Sequence, residues 1–231
     1  MDKNINYINI IALIPARGGS KGIPGKNIKS FEGKPLIIHS IDYAKSSNLI
    51  NTIYVSTDDD QIAHISKTAG SKIIKRPSSL ATDTSSTESA IEHALNNIDI
   101  SPDIIILLQP TSPLRPLGSL NEIINKFIDE KYDSLLSLSP SNNFFWNVNG
   151  DTASAEYDFL NRKRRQDINA NEKKYFENGS IYVFTKDHFQ STNNRLGGKI
   201  GYVIFPEEYG YEIDDPKDLI ILEQLSREII K

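Results

Sequence analysis

An α/β fold built on a mostly parallel sheet is what this sequence predicts, and three observations predict it. Apolar runs of strand length alternate with amphipathic stretches of helix length through the first 140 residues, the pattern of βαβ units. The runs are rich in Ile, Val and Leu, as strands covered on both faces require. A glycine-rich segment follows directly on the first run, where a parallel strand hands over to the loop that meets a ligand.

The elements follow in order. Ile8–Ile14, broken by Asn9, reads as the first strand. Pro35–Lys45 reads as a helix with proline at its first position, where the missing N–H costs nothing. A strand over Thr52–Thr57 leads to a helix over Asp59–Ala69, among three aspartates that suit a helix's positive end. Lys72–Lys75 is a short strand, and Ser85-Ser-Thr-Glu88 reads as a capping box opening a helix to Asn96. Asp103–Leu108, a helix over Gly118–Glu130 and a strand over Ser134–Ser139 complete the alternation. Past Pro140 it lapses into Ser141-Asn-Asn-Phe-Phe-Trp-Asn-Val-Asn-Gly150, then a polar stretch holding Arg162-Lys-Arg-Arg165, which marks an insertion. Strands resume at Ser180–Phe184 and Ile200–Phe205, and a helix from Pro216 to Lys231, capped by Asp215, closes the chain.

Composition narrows the function classes. At 231 residues the chain fits one core. Its 26 basic and 30 acidic residues give a net charge of −4, so no general cationic field draws it to nucleic acid or anionic lipid, and any phosphate site is local. Absence of cysteine removes thiolate nucleophiles and cysteine metal sites, while the four histidines fall in no metal-ligand spacing. Nothing approaches the ~20 apolar residues of a membrane span. The apolar run after Met1-Asp2-Lys3 is too short and wrongly flanked for a signal peptide. These readings lead to the expectation of a cytoplasmic protein.

The richest segment is Ile14-Pro-Ala-Arg-Gly-Gly-Ser-Lys-Gly-Ile-Pro-Gly-Lys-Asn27, in which four glycines and three cations share fourteen residues. Glycines let backbone N–H groups turn toward an anion, and Arg17, Lys21 and Lys26 supply charge. A P-loop would need glycine at Ser20 and a hydroxyl at Asn27, and no two glycines are separated by one residue as a dinucleotide fingerprint demands. The loop is therefore an anion cradle of another kind.

This loop resembles that of the acylneuraminate cytidylyltransferases. So do Arg76-Pro, Gln109-Pro-Thr-Ser-Pro-Leu-Arg115, Arg164-Arg-Gln-Asp167, Glu177-Asn-Gly-Ser-Ile-Tyr182 and Glu212-Ile-Asp214, in the same order across nearly the whole chain. The resemblance implies a Rossmann-like α/β nucleotidyltransferase, one domain over residues 1–231 with a swapped dimerisation element at about 140–178, working as a homodimer. It implies attack of a keto sugar acid's anomeric hydroxyl on the α-phosphorus of CTP, giving a CMP-sugar and pyrophosphate. Charge carries such transfers, which makes Arg17 and Lys26 the catalytic candidates together with Asp214 and Mg²⁺.

Ser20, Lys21, Asn27, Arg76 and Thr87 would line the nucleotide, and Gln109, Arg165, Gln166, Asn178 and Tyr182 the sugar. Glu212 and Asp214, two apart on an extended segment, face one side and suit Mg²⁺. The family often has Asp-Ile-Asp here, so Glu212 is a departure. Plainer roles stand beside these. Arg76 reads also as a surface charge, Thr87 as a helix start, Asp83 as a cap, Arg115 as a turn brace and Tyr182 as core; Phe144, Phe145 and Trp146 read as dimer or core packing. Legionaminic, pseudaminic or octulosonic acids, or another nucleoside triphosphate, are alternatives within the same chemistry, and a non-catalytic nucleotide-sugar binding protein is the alternative outside it.

Overall fold

The computed structural model describes residues 8–229; the Met1-Asp2-Lys3 flank and the last two residues of the predicted final helix lie outside that range. In chain order the elements are β1 (Ile10–Pro15), the short hairpin β2 (Ser30–Phe31) and β3 (Lys34–Pro35), α1 (Leu36–Lys45), β4 (Thr52–Thr57), α2 (Asp60–Thr68), β5 (Lys72–Lys75), α3 (Thr87–Leu95) and β6 (Ile104–Leu108). There follow α4 (Ser119–Asp129), β7 (Ser134–Ser141), the hairpin β8 (Trp146–Asn149) and β9 (Thr152–Ala155), β10 (Lys174–Thr185), α5 (Lys186–Thr192), β11 (Ile200–Ile204) and α6 (Pro216–Ile229).

Seven strands make one sheet in the order β11-β7-β10-β6-β1-β4-β5. Every pairing within it is parallel except the two that β10 makes, with β6 and with β7. The alternation of side chains along β1 explains why both faces are covered. Ile10, Ala12 and Ile14 pack with residues of α1, α2 and α4, whereas Ile11 and Leu13 pack with residues of α3 and α5. A third cluster, holding Ile23, Phe31, Leu36, Leu114, Ile213 and Leu222, seats α6 against the glycine-rich loop and the segment before α6.

Local chemistry sets most helix starts where the sequence places them. Asp59 caps α2, accepting from Ile62 N at 2.8 Å. Asp215 caps α6 by accepting from Lys217 N at 2.9 Å, and Asp218 reaches back to Asp215 N at 2.8 Å. The box predicted at Ser85 is displaced by one residue: Ser86 caps α3, because Ser85 Oγ accepts from Thr82 N at 3.1 Å and closes the preceding turn. Glu88 is therefore free to pair with Arg195 instead.

β7 and β10 stay paired out to Ser141 and Lys174, so the excursion runs over 142–173. It carries the β8–β9 hairpin and two short 3-10 turns. Its aromatics cluster with one another, Phe144 with Tyr157 at 4.5 Å and Trp146 with Phe159 at 6.0 Å between centroids. They stand outside the core, with Phe145 51% and Trp146 48% exposed. Among the described residues no helix is long and apolar enough to cross a membrane.

Candidate active site

β1 and β6 are adjacent parallel strands, so the loops that leave them emerge side by side at one edge of the sheet. A crevice opens at their carboxyl ends, where open α/β sheets bind ligands. The cleft there has a volume of ≈ 520 Å³ and is lined by Arg17, Ser20, Lys21, Lys26, Asn27, Arg76, Thr87, Gln109 and Asp214, with Gly22, Asp83, Pro110 and Thr111 among the remainder. Nine residues singled out in the sequence thus meet in one place.

The glycine-rich loop is held by its backbone and by two polar side chains. Ala16 N donates to Ser56 O at 2.9 Å and Gly18 N to Asp58 Oδ1 at 2.9 Å. Asn27 is buried, and its amide donates to Arg17 O at 2.9 Å, so it shapes the loop as well as lining it. A Cβ on Gly22 would overlap the carbonyl oxygen of Asp214; here glycine is needed because two backbones touch, a different reason from presenting N–H groups to an anion.

Each cation of the loop has an anionic neighbour. Lys26 Nζ donates to Ile213 O at 2.8 Å and to Asp214 Oδ1 at 3.1 Å, the lysine 13% and the aspartate 70% exposed. Arg17 Nη1 and Lys21 Nζ both reach Asp83, at 2.9 Å each. The hydrogen bond from Lys21, assisted by Arg17, holds the Asp83 carboxyl below the usual range. Arg76 is buried, its N–H donates to Thr57 O at 2.8 Å, and its Nε has no hydrogen-bond partner. Burial lowers its guanidinium, which Asp58 partly offsets.

Beside Gln109 the wall is built by a buried arginine. Arg115 donates to Gln109 O at 2.8 Å, Ser180 O at 3.1 Å and Ser40 Oγ at 3.2 Å, and lies over the Tyr43 ring at 5.3 Å. Burial pushes it down to about 10, so it stays charged at neutral pH. It braces the end of β6 against the bulge in β10, where register shifts between Glu177 and Tyr182. Asn178 fills that bulge: its Oδ1 accepts from Ser137 Oγ at 2.6 Å and its Nδ2 donates to Ser139 Oγ at 3.0 Å. Gly179 has φ +66, and a Cβ there would overlap Glu212 Oε1 and stand 3.1 Å from Gln109 Oε1.

Glu212 and Asp214 come from one extended segment but take different stations. Asp214 lines the cleft. Glu212 lies behind it against Gly179, accepting from Ser112 Oγ at 3.3 Å, and its carboxyl is pushed up by burial first and by Asp214 second. Tyr182 is buried, its hydroxyl donating to Glu177 and its ring under Arg195 at 4.4 Å; burial pushes the phenol up. Arg195 in turn pairs with Glu88 in the first turn of α3. Asn178, Tyr182 and Glu212 thus form the cleft's supporting wall, outside its lining.

Arg165 and Gln166 are elsewhere. Arg165 lines a second hollow of ≈ 310 Å³ with Asn142, Phe144, Arg162, Lys163 and Arg164, and Gln166 is exposed on the 3-10 turn it shares with Arg165. Arg162 stacks over Phe144 at 4.1 Å. Sequence reasoning assigned no site role to Asp83, Arg195, Pro110 or Thr111. Arg195 lies in a polar loop without periodicity, and nothing there points to its partner 107 positions away.

Comparison with known proteins agrees with this geometry. The family model described as cytidylyltransferase matches residues 11–229. N-acylneuraminate cytidylyltransferase A of Danio rerio is 38% identical over 94% of this chain and 50% of its own length; the chain spans about half the length of such curated relatives. The post-translational flagellin modification protein B of Campylobacter coli is 31% identical over 95% of both chains. The structure of CMP:2-keto-3-deoxy-manno-octonic acid synthetase complexed with CTP superposes with a TM-score of 0.72 at 19% identity, over 96% of this chain and 99% of that one, a likeness of fold. With the match to its family model running through the glycine-rich loop, Gln109 and Asp214 alike, the chain belongs to the cytidylyltransferase family.

Proposed function

We propose that the chain couples CTP to the anomeric hydroxyl of a nonulosonic, sialic-type acid, releasing pyrophosphate. The observation that carries this reading is the cleft itself, which gathers Arg17, Lys21, Lys26 and Arg76 at the carboxyl edge of the sheet, with Asp83 and Asp214 as the acidic residues of its lining. Four cations around one crevice suit a triphosphate, and fixed charges that need no reorganisation stabilise the charge growing on the departing pyrophosphate. Arg17 and Lys26 do that work, Ser20, Lys21, Asn27, Arg76 and Thr87 hold the nucleotide, and Gln109 faces the acceptor.

Mg²⁺ fits the residues present. Asp214 offers an exposed carboxylate with one oxygen on Lys26, and Glu212 lies behind it as a buried acid raised by burial first and by Asp214 second, with Ser112 and Lys26 offsetting part of that rise. Among the described residues no group of three His, Cys, Asp or Glu converges, so phosphate oxygens would complete the shell, as is usual for this ion. Held by Asp214, Mg²⁺ would supply positive charge against the phosphates.

Arg165 and Gln166 serve the sugar carboxylate only if the insertion carries them to a cleft, which the second subunit of a homodimer provides. Asn178 and Tyr182 act on the sugar through the wall they build. A cytoplasmic location is consistent with the need for CTP.

Pyrophosphate release tests the reading, with Mg²⁺, each of the four nucleoside triphosphates and a panel of sialic, legionaminic, pseudaminic and octulosonic acids. Turnover with CTP and a nonulosonic acid is the expected result. Turnover with the octulosonic acid alone reassigns the acceptor, and CTP binding without release on any acid points to a non-catalytic nucleotide-sugar binding protein.

A further inference from the structure

Asp83 has a place in the site that the family chemistry does not account for. Its two carboxylate oxygens take one donor each from Arg17 and Lys21, both at 2.9 Å, and all three residues line the cleft. The cations belong to the glycine-rich loop and the aspartate to the loop before α3, so the pair of contacts ties two separate walls together. A structural errand for the carboxylate is already done by others. Ser86 caps α3, while Ser85 and Thr82 close the turn. Nor does burial dictate the pairing, since Asp83 is 39% and Lys21 80% exposed.

We propose that Asp83 is an internal counter-anion that a polyphosphate must displace to reach Arg17 and Lys21, and that displaces pyrophosphate in its turn. A carboxylate oxygen and a phosphate oxygen are rival acceptors for the same N–H donors. Whatever free energy the two ion pairs hold is subtracted from the binding of any ligand that uses both cations, substrate and product alike. Asp83 therefore weakens CTP capture and pyrophosphate retention by a common factor, and it keeps the cations oriented toward the cleft between turnovers. This rests on the reading that the cleft takes a nucleoside triphosphate.

Equilibrium calorimetry with CTP and, separately, with pyrophosphate, each with Mg²⁺, tests the proposal on Asp83→Asn and Asp83→Ser. Both ligands are expected to bind between about threefold and tenfold more tightly than to wild type, the range that two solvent-reached ion pairs supply. In a Lys21→Ala background the gain from Asp83→Asn shrinks, because part of the rivalry is over that lysine. Asp60→Asn removes the same charge at the start of α2, outside the cleft lining, and leaves both affinities unchanged. Unchanged or weaker binding in both Asp83 variants overturns the proposal, as does an equal gain in Asp60→Asn, which would make the effect one of overall charge. A raised Mg²⁺ requirement in Asp83→Asn overturns it in favour of a metal ligand. A wild-type protein that binds neither CTP nor pyrophosphate removes the reading of the cleft together with the proposal.

Discussion

Lys26 stands where the beginning and end of the chain meet, its ammonium on Ile213 O and Asp214 while the rest of its loop follows β1. Lys26→Ala is expected to lower kcat by roughly 10²–10³ with the far-UV circular dichroism unchanged, the scale on which a positioned electrostatic group acts. Turnover near wild type would take Lys26 off the catalytic list. Glu212 makes the opposite kind of prediction. Its carboxyl is raised above the ordinary 4.5 by burial and by Asp214, so the native state binds its proton more tightly than the unfolded chain. The associated stability is present below the unfolded pKa and is lost as pH rises through the folded one. Glu212→Gln should therefore be more stable than wild type at pH 7 without divalent cation and should match it below about pH 4, measured by urea denaturation at each pH. A gain that persists in acid would place the effect in packing and not in charge. Gln109 was legible in the sequence because a polar residue ending an apolar strand is carried to the sheet's crevice by topology alone, and Asp214 because it stands two residues from Glu212 in a segment that resembles the family's. Asp83 and Arg195 were not, since their roles depend on partners that no local pattern names.

At the scale of elements, the close contact between the glycine-rich loop and the segment before α6 decides whether the cleft closes. Gly22→Ala would drive a methyl group into the Asp214 carbonyl, and backbone on both sides leaves little room to yield. We expect it to destabilise the fold by about 1–3 kcal/mol and to cut turnover more severely than Gly19→Ala, where a Cβ would meet nothing within 4 Å. Thermal melts paired with pyrophosphate assays compare the two, and equal behaviour would remove the close approach as a determinant. Most strands were readable because a doubly covered strand is simply apolar, as in β6, where all five residues are buried. The first half of β10 escaped notice because Lys174 to Glu177 are exposed and the register slips at the bulge. The β8–β9 hairpin carried its signal in Asn149-Gly150, with Gly150 at φ +56, and in the alternation of Trp146-Asn-Val-Asn149, but strands of four residues are too short for that pattern to stand out in a polar stretch. α5, seven residues long, shows too little periodicity to stand out.

For the molecule as a whole, the insertion presents Phe145, Trp146, Val148 and Phe159 to solvent, more aromatic surface than a polar hairpin needs. A homodimer joined through this arm predicts a light-scattering mass twice the 25.9 kDa of the chain at micromolar concentration, reduced to one chain by Val148→Glu, which touches no core residue. A monomer mass for the wild type would contradict it. The fold class was legible in the first 140 residues because their alternating elements report topology directly, whereas the arm's purpose lies in a surface that composition alone does not interpret. The placement of β10 bears on how such a chain assembles at all. The strand that joins β6 to β7 arrives some seventy residues after β6 in the sequence, and Asp214 of the cleft later still. A nascent chain emerging from the ribosome thus carries a four-stranded sheet open at β6 and a β7 without its sheet partners until residue 185 is out, and its slow step is the insertion of β10 between them. Misfolding in this protein should begin at those two edges, in the interval before β10 closes them.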